Sequence, residues 1–480
     1  MSDKGSQPDQ LYAAREPVFP RKVYGNFRNL KWGIMIVTLG IYYLMPWIRW
    51  DRGPNLPDQA VLVDLANRRF FFFWIEIWPH EFYFVAGLLI MAGLGLFLFT
   101  SALGRVWCGY TCPQTVWTDL FILVERWIEG DRNARLRLHR QERMDARKLR
   151  LRITKYVAWA LIAVSTGGAW VFYFTDAPTL LRELFTLSAH PASYTSIGVL
   201  TATTLIFGGF MREQVCIYMC PWPRIQAAMM DPDTITVGYR EWRGEPRGKH
   251  RKSAEAGEMG DCIDCMACVN VCPMGIDIRD GQQLECITCA LCIDACNDIM
   301  DKVGKPRGLI GYMALSDEDH ERAGQPVRNV WKHVFRLRTM IYTALWSAVG
   351  IGLVVALFVR PDISATVHPI RQPLYVTLSD GTIRNTYDFG LRNKHGDERH
   401  FRVTLAAGQA PDLQVAIEGI PDDQIPVPAD TTGKARVYVL APRGSTSAGA
   451  ERIPIRFWIE DLSSGERVSK DSTFTGTGAR

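Results

Sequence analysis

The chain has 480 residues, 48% of them apolar and 22% charged, and a formal net charge of +5. This length accommodates two to four domains, and the average hides a segregation of apolar blocks of membrane length from very polar ones. The positive excess sits beside the apolar blocks, where it sets membrane topology, so the charge does not signal a nucleic-acid partner.

In chain order, residues 1–31 form a polar arm carrying Arg15, Arg21, Lys22 and Arg28. The first apolar block follows it uncut, which predicts no cleavable signal peptide. Residues 32–47 are nearly free of charge and just reach bilayer length. A polar loop follows, in which 60–65 and 70–78 flank Ala66-Asn67-Arg68-Arg69 and predict a short hairpin with aromatics at the membrane interface. Pro79, His80 and Glu81 precede a second span at 82–102. Residues 126–155 are rich in arginine, among them Arg132, Arg135, Arg137, Arg140, Arg143, Arg147, Arg150 and Arg152, and read as a solvated face towards lipid headgroups. Spans at 156–174 and 194–211 come next, then a polar connector at 213–257. A cysteine-rich domain occupies 258–300, a linker 301–339 and a fifth span 340–359. From 360 to 480 the pattern turns to short alternating runs, at 374–378, 401–405, 413–417, 435–440 and 453–459, split by Asp-Gly, Pro-Asp and Ser-Gly turns. These predict an immunoglobulin-like antiparallel β-sandwich without a disulfide, serving packing or partner binding.

Five spans put the two chain ends on opposite sides of the membrane. Positive charge marks the arm, the Arg-rich segment and the cysteine-rich domain as cytoplasmic, and the C-terminal domain as periplasmic. His80 and His190 lie at the outer ends of the second and fourth spans, where interface residues reaching water and proton-handling or cofactor-binding residues are both open readings.

All twelve cysteines lie between Cys108 and Cys296. Cys262, Cys265, Cys268 and Cys272 repeat the spacing of Cys286, Cys289, Cys292 and Cys296, a C-x2-C-x2-C-x3-C run in duplicate. In such runs three thiolates wrap one [4Fe–4S] cube and the fourth reaches the other. Cys262, Cys265, Cys268 and Cys296 then hold one cluster, and Cys286, Cys289, Cys292 and Cys272 the second. Zinc sites pair two C-x2-C units, and disulfides do not suit a reducing compartment. The second run ends in Asn297 where the first has Pro273.

A second constellation is also duplicated: Cys108-x3-Cys112-Pro113 and Cys216-x3-Cys220-Pro221 close the first two pairs of spans at one constant offset. This predicts two equivalent two-helix units about a pseudo-twofold axis within residues 32–212. Two cysteines one helical turn apart share a face, and four soft ligands, with Met211 and Met219 nearby, suit Cu(I). Zinc or a dithiol/disulfide couple remain open alternatives for these four.

The stretches GRVWCGYTCPQTVW, REQVCIYMCPWPRIQ, DCIDCMACVNVCPMGIDIRDGQQLECITCALCIDAC and KPRGLIGY resemble the cytochrome c oxidase accessory protein family of the CcoG/FixG/RdxA type, over the chain from about Val23 onward. The resemblance implies a multi-pass polyferredoxin of the bacterial inner membrane with two [4Fe–4S] clusters. It further implies reduction of Cu(II) to Cu(I) at Cys108, Cys112, Cys216 and Cys220 in support of cbb3-type oxidase assembly. Its partners are then oxidase-assembly or copper-transport proteins and an electron donor the sequence does not name, with self-association an open alternative. Two rival functions are a quinol dehydrogenase subunit and a non-enzymatic scaffold whose metal sites are structural.

Overall fold

A computed structural model describes residues 17–53, 56–248, 259–326, 328–360, 364–394, 396–406, 411–420 and 423–478. Arg15 of the basic arm lies outside them. The chain divides into two compact units, Met1–Ile48 with Gln59–Leu353, and Arg49–Asp58 with Val354–Arg480.

Among the described residues, three helices are long and apolar enough to cross a membrane: Tyr83–Leu103 and Pro191–Met211 in the first unit, and Leu337–Val359, whose residues fall in both. They occupy the second, fourth and fifth predicted spans. The other two predicted spans are helical but differ in character. Asn26–Leu44 begins before the predicted 32 because its first turn is capped from afar: the Asp294 carboxylate accepts hydrogen bonds from the backbone N–H groups of Phe27 (3.4 Å) and Arg28 (2.8 Å). Ala146–Val171 starts within the Arg-rich segment, where Asp145 accepts from the Lys148 N–H at 2.7 Å. Its first turns carry Arg147, Lys148, Arg150, Arg152 and Lys155. The five-helix reading therefore stands here as three apolar helices of membrane length and two with charged ends.

The predicted hairpin is a three-stranded antiparallel sheet, Val61–Asp64, Arg69–Phe72 and Ile75–Ile77. The two C-x3-C elements are not conformational duplicates. The first lies on an α-helical turn, Val106–Tyr110, followed by the 17-residue helix Pro113–Glu129. The second is π-helical, Val215–Met219, and precedes only the 8-residue helix Trp222–Met229. The seven residues before Arg212 are π-helical as well, a winding often found at functional sites.

The second unit packs two antiparallel sheets. In one, Gln414–Ile417, Thr432–Ala441, Ile383–Arg392 and Ser364–Pro369 lie side by side, with Val376–Thr377 also paired to Ile383–Arg392. In the other the order is Gln424–Val427, Arg399–Leu405, Arg452–Asp461, Arg467–Thr475. All five predicted strands are present. Ile383–Arg392 escapes a reading of apolar alternation because an inward position is polar: buried Asn385 donates to the Thr475 carbonyl (2.7 Å) and accepts from its N–H (3.2 Å). Arg467–Thr475 escapes it as an edge strand whose residues are mostly polar.

Phe457 is fully buried between the sheets, edge-on to Tyr387 and Phe389 with ring centroids 5.1 Å away. Phe457→Ala should cost about 3–5 kcal/mol, read as a lowered urea midpoint of the C-terminal unit, whereas Trp458→Ala, on the exposed side of the same strand, should change it by roughly 0.5 kcal/mol or less.

Candidate iron–sulfur site

Each cysteine run bends twice into left-handed backbone before its helix begins. Asp264 and Met266 (φ 51° and 56°) in the first run match Thr288 and Ala290 (φ 54° and 59°) in the second. Non-glycine residues adopt this conformation at a cost of about 1 kcal/mol each, and here it wraps the loop so that consecutive cysteines turn inward. The helices Ala267–Val271 and Leu291–Val303 then carry the remaining thiols. Cys272 ends its helix in extended backbone, so Pro273 can follow. Cys296 sits inside a helix that continues for two turns, where proline would break the ladder. Asn297 there accepts a hydrogen bond from the Gly308 N–H (3.0 Å).

Two cavities result. Cys262, Cys265, Cys268 and Cys296 line one, roofed by Tyr239, Met300 and Ile310. Cys272, Cys286, Cys289 and Cys292 line the other, with Cys268 at its edge and Ile276, Ile278 and Leu291 around it. The strands Thr236–Tyr239 and Ile310–Met313 pair over this region. Neither lining includes a carboxylate or histidine. Among the described residues no three Cys, His, Asp or Glu side chains close on one point as ligands of a single ion do. Ligands to separate corners of a cube stand further apart, so the donor set fits an iron–sulfide cluster better than one zinc ion. Burial pushes the thiols of Cys268 and Cys286 up to about 11 and those of Cys272 and Cys296 up to about 12; the thiolates these cages need are favoured by bound iron.

The C-x3-C elements lie directly against the second cavity. A Cβ on Gly109 would stand 2.5 Å from the Ile287 carbonyl oxygen and 3.0 Å from the Cys289 Cα, so only glycine permits this approach. Tyr110 donates its hydroxyl to the Cys289 carbonyl at 3.2 Å. Cys108 and Cys216 pack in the same apolar cluster as Cys272 and Cys289. Burial raises the thiol of Cys216 to about 12, with repulsion from Cys112, Cys108 and Cys220 adding to it. Burial also raises that of Cys108. Cys108 and Cys216 are thus each within electrostatic reach of Cys112 and Cys220. The Cys108 thiol donates to Gln226 Oε1 at 3.2 Å, and Gln226 is itself fully buried. Met219 is half exposed.

Buried ion pairs, unremarked in the sequence, fix these elements. Asp119 meets Arg28 at 2.9 Å and Lys31 at 3.3 Å. Burial alone would raise its carboxyl, but Lys31 and Arg28 hold it below the usual range. Glu125 meets Arg212 at 2.7 Å, Arg135 at 2.9 Å and Lys155 at 3.6 Å. Glu129 meets Lys155 at 3.0 Å and Arg152 at 3.1 Å. The Arg-rich segment is therefore not wholly a solvated face: Arg135 is 1% exposed. The signal was present as Glu125 and Glu129 on Pro113–Glu129, placed to meet that basic run. His190 accepts from the Ala192 N–H (3.2 Å), capping the Pro191–Thr204 helix. The His80 side chain lies outside the described residues.

The comparisons with known proteins agree with this chemistry. Residues 211–315 match the 4Fe-4S dicluster domain and residues 84–131, which contain Cys108 and Cys112, a 4Fe-4S binding domain. Residues 353–477 match the IG-like fold at the C-terminus of FixG. Among curated proteins, RdxB of Cereibacter sphaeroides is 67% identical over 479 residues, covering 100% of both chains. RdxA of the same organism is 63% identical, covering 95% of this chain and 96% of its own. The nitrogen fixation protein FixG of Rhizobium meliloti is 52% identical, covering 98% and 94%. A crystal structure of a FixG-related protein from Vibrio parahaemolyticus covers 24% of this chain and 98% of its own, at 15% identity and a TM-score of 0.21. Helices of membrane length, an iron–sulfur dicluster domain and full-length identity of this order establish the chain as a member of the FixG/RdxA family of iron–sulfur electron-transfer proteins.

Proposed function

We propose that this protein passes single electrons to Cu(II) held by Cys108, Cys112, Cys216 and Cys220, releasing Cu(I) for assembly of cbb3-type cytochrome c oxidase. The observation that carries the reading is the contact of Gly109 and Tyr110 with the backbone at Ile287 and Cys289. It sets the first C-x3-C element beside a cysteine cage with no intervening side chain at Gly109, and Cys216 packs in the same apolar cluster. In this reading Cys262, Cys265, Cys268 and Cys296 hold one [4Fe–4S] cluster and Cys286, Cys289, Cys292 and Cys272 the other. When bound, the clusters supply one-electron redox chemistry.

Copper enters as substrate. Among the described residues no three of these sulfurs close on one point, so the two C-x3-C elements must draw together around the ion when it binds. Thiolates favour Cu(I) over Cu(II), so the ligand set pulls the one-electron reduction Cu(II) + e− → Cu(I) forward. Cys108 and Cys216, with thiols raised by burial, each lose a proton on ligating the ion. In the membrane, the five helices would run so that the cysteine-rich domain and Arg-rich segment face the cytoplasm and the sandwich faces the periplasm.

A second reading concerns the electron source. A cavity of about 540 Å3 opens beside Pro113, lined by Tyr42, Gln114, Trp117, Thr166, Trp170 and Phe207. Its aromatic walls and few polar groups favour a lipid-soluble quinol.

Anaerobically reduced protein should be reoxidised by Cu(II), with Cu(I) trapped by a chelator. Cys216→Ser or Cys220→Ser should abolish this while iron content stays unchanged; retained reoxidation rejects copper at these residues. A short-chain quinol that reduces the clusters equally well in those variants supports the second reading of the donor. Cys272→Ser should remove the EPR signal that Cys286→Ser also removes, and Cys296→Ser the signal removed by Cys262→Ser. The opposite pairing overturns the crossed ligand sets. Gly109→Val should slow copper-dependent reoxidation without loss of iron, measured by stopped-flow absorbance.

A further inference from the structure

Arg105 lies in the two-residue link between Tyr83–Leu103 and Val106–Tyr110, three positions before Cys108. Its side chain is 3% exposed. One terminal nitrogen donates to the Leu284 carbonyl, while Nε is buried without a hydrogen-bond partner. Among the described residues no carboxylate comes within ion-pair distance of it, in contrast to the neighbouring Arg28, Arg135, Arg152 and Arg212. A guanidinium stays charged under all ordinary conditions, and an unpaired charge in a dry interior is strongly disfavoured. The fold tolerates one here, so a countercharge must come from the surroundings. The surroundings are sulfur. Arg105 and Cys286 line the same cavity of about 210 Å3, and Arg105 acts electrostatically on Cys108, Cys216 and Cys286. The position is specific to one copy of the repeated element, since the same spacing before Cys216 holds Glu213.

We propose that Arg105 is the countercation of the cage formed by Cys272, Cys286, Cys289 and Cys292, and that it raises the reduction potential of the cluster held there relative to the other. This rests on the ligand sets given under the proposed function. Four thiolates on a [4Fe–4S] core carry net negative charge, and each added electron makes it more negative; a fixed cation in low dielectric stabilises the reduced form. The guanidinium also lies beside Cys108. Arg105 thus links the cage electrostatically to the first C-x3-C element. It is a positioning residue in charge, touching neither copper nor a transferred group.

The test is a redox titration by EPR of the full-length protein, purified anaerobically in detergent, with iron and sulfide quantified in parallel. Arg105→Gln should lower the midpoint of the component that Cys286→Ser perturbs and leave the other component in place, and Arg105→Lys should restore it towards the parent value. Two unmoved midpoints in fully loaded R105Q overturn the proposal, as do two equal shifts. If R105Q loads incompletely, R105K decides: iron content and midpoint near the parent sustain the role of charge, while an R105K protein that also lacks iron overturns it in favour of the hydrogen bond to Leu284. Loss of the ligand reading shows itself separately, in cysteine variants that leave both signals intact.

Discussion

The ion pairs around Asp119, Glu125 and Glu129 are the constraint on which this arrangement depends. Each carboxylate is buried: Asp119 is met by two cations of Asn26–Leu44, Glu129 by two of Ala146–Val171, and Glu125 by three from separate parts of the chain. Taking charges out of water is expensive, and a buried pair need not add net stability. Its effect is on uniqueness: leaving one partner behind costs about 3–5 kcal/mol, so packings that separate the partners are penalised heavily. Glu125, on Pro113–Glu129, meets Arg135 of the helix Arg132–Arg140, Lys155 of Ala146–Val171 and Arg212 just after the π-helical segment ending at Met211, and so holds all four elements in one register.

With those helices fixed, the close approach at Gly109 becomes possible. The helical turn bearing Cys108 is pressed against the Ile287–Cys289 backbone, and the hydroxyl of Tyr110 pins it. The second cage is apolar apart from sulfur, while the first is also lined by Arg279, already paired with Asp264 and Asp277; around the second cage a nearby fixed charge counts for more than it would in water. A single unpaired guanidinium at Arg105 therefore acts on both sulfur groups, whereas the paired cations a few residues away are already compensated.

The cysteine domain could be read from spacing because covalent ligand geometry repeats in sequence: two C-x2-C-x2-C-x3-C runs demand two loops of one shape, and the matched left-handed residues supply it. Long apolar runs likewise announced Tyr83–Leu103 and Leu337–Val359. What escaped was long-range. Nothing near Asn26 says that its helix is capped by Asp294, 266 positions away from Arg28. Nothing in the arginine run says which member is swallowed by Glu125. Buried polar residues such as Gln226 and Asn385 break the apolar patterns used to find a core. The duplicated C-x3-C-P element shows the limit of repetition as a guide, since equal spacing gave α-helical winding in one copy and π-helical winding in the other.

The helix Leu291–Val303 brings three responsibilities to one rod. Cys292 faces one cage, Cys296 the other, and Asp294 between them closes the start of Asn26–Leu44, whose Gly25 lets the carboxylate come near. Metal occupancy and the anchoring of the first hydrophobic segment are thereby joined mechanically. Any change that shifts this rod therefore acts at once on both cages and on the seat of the first hydrophobic segment.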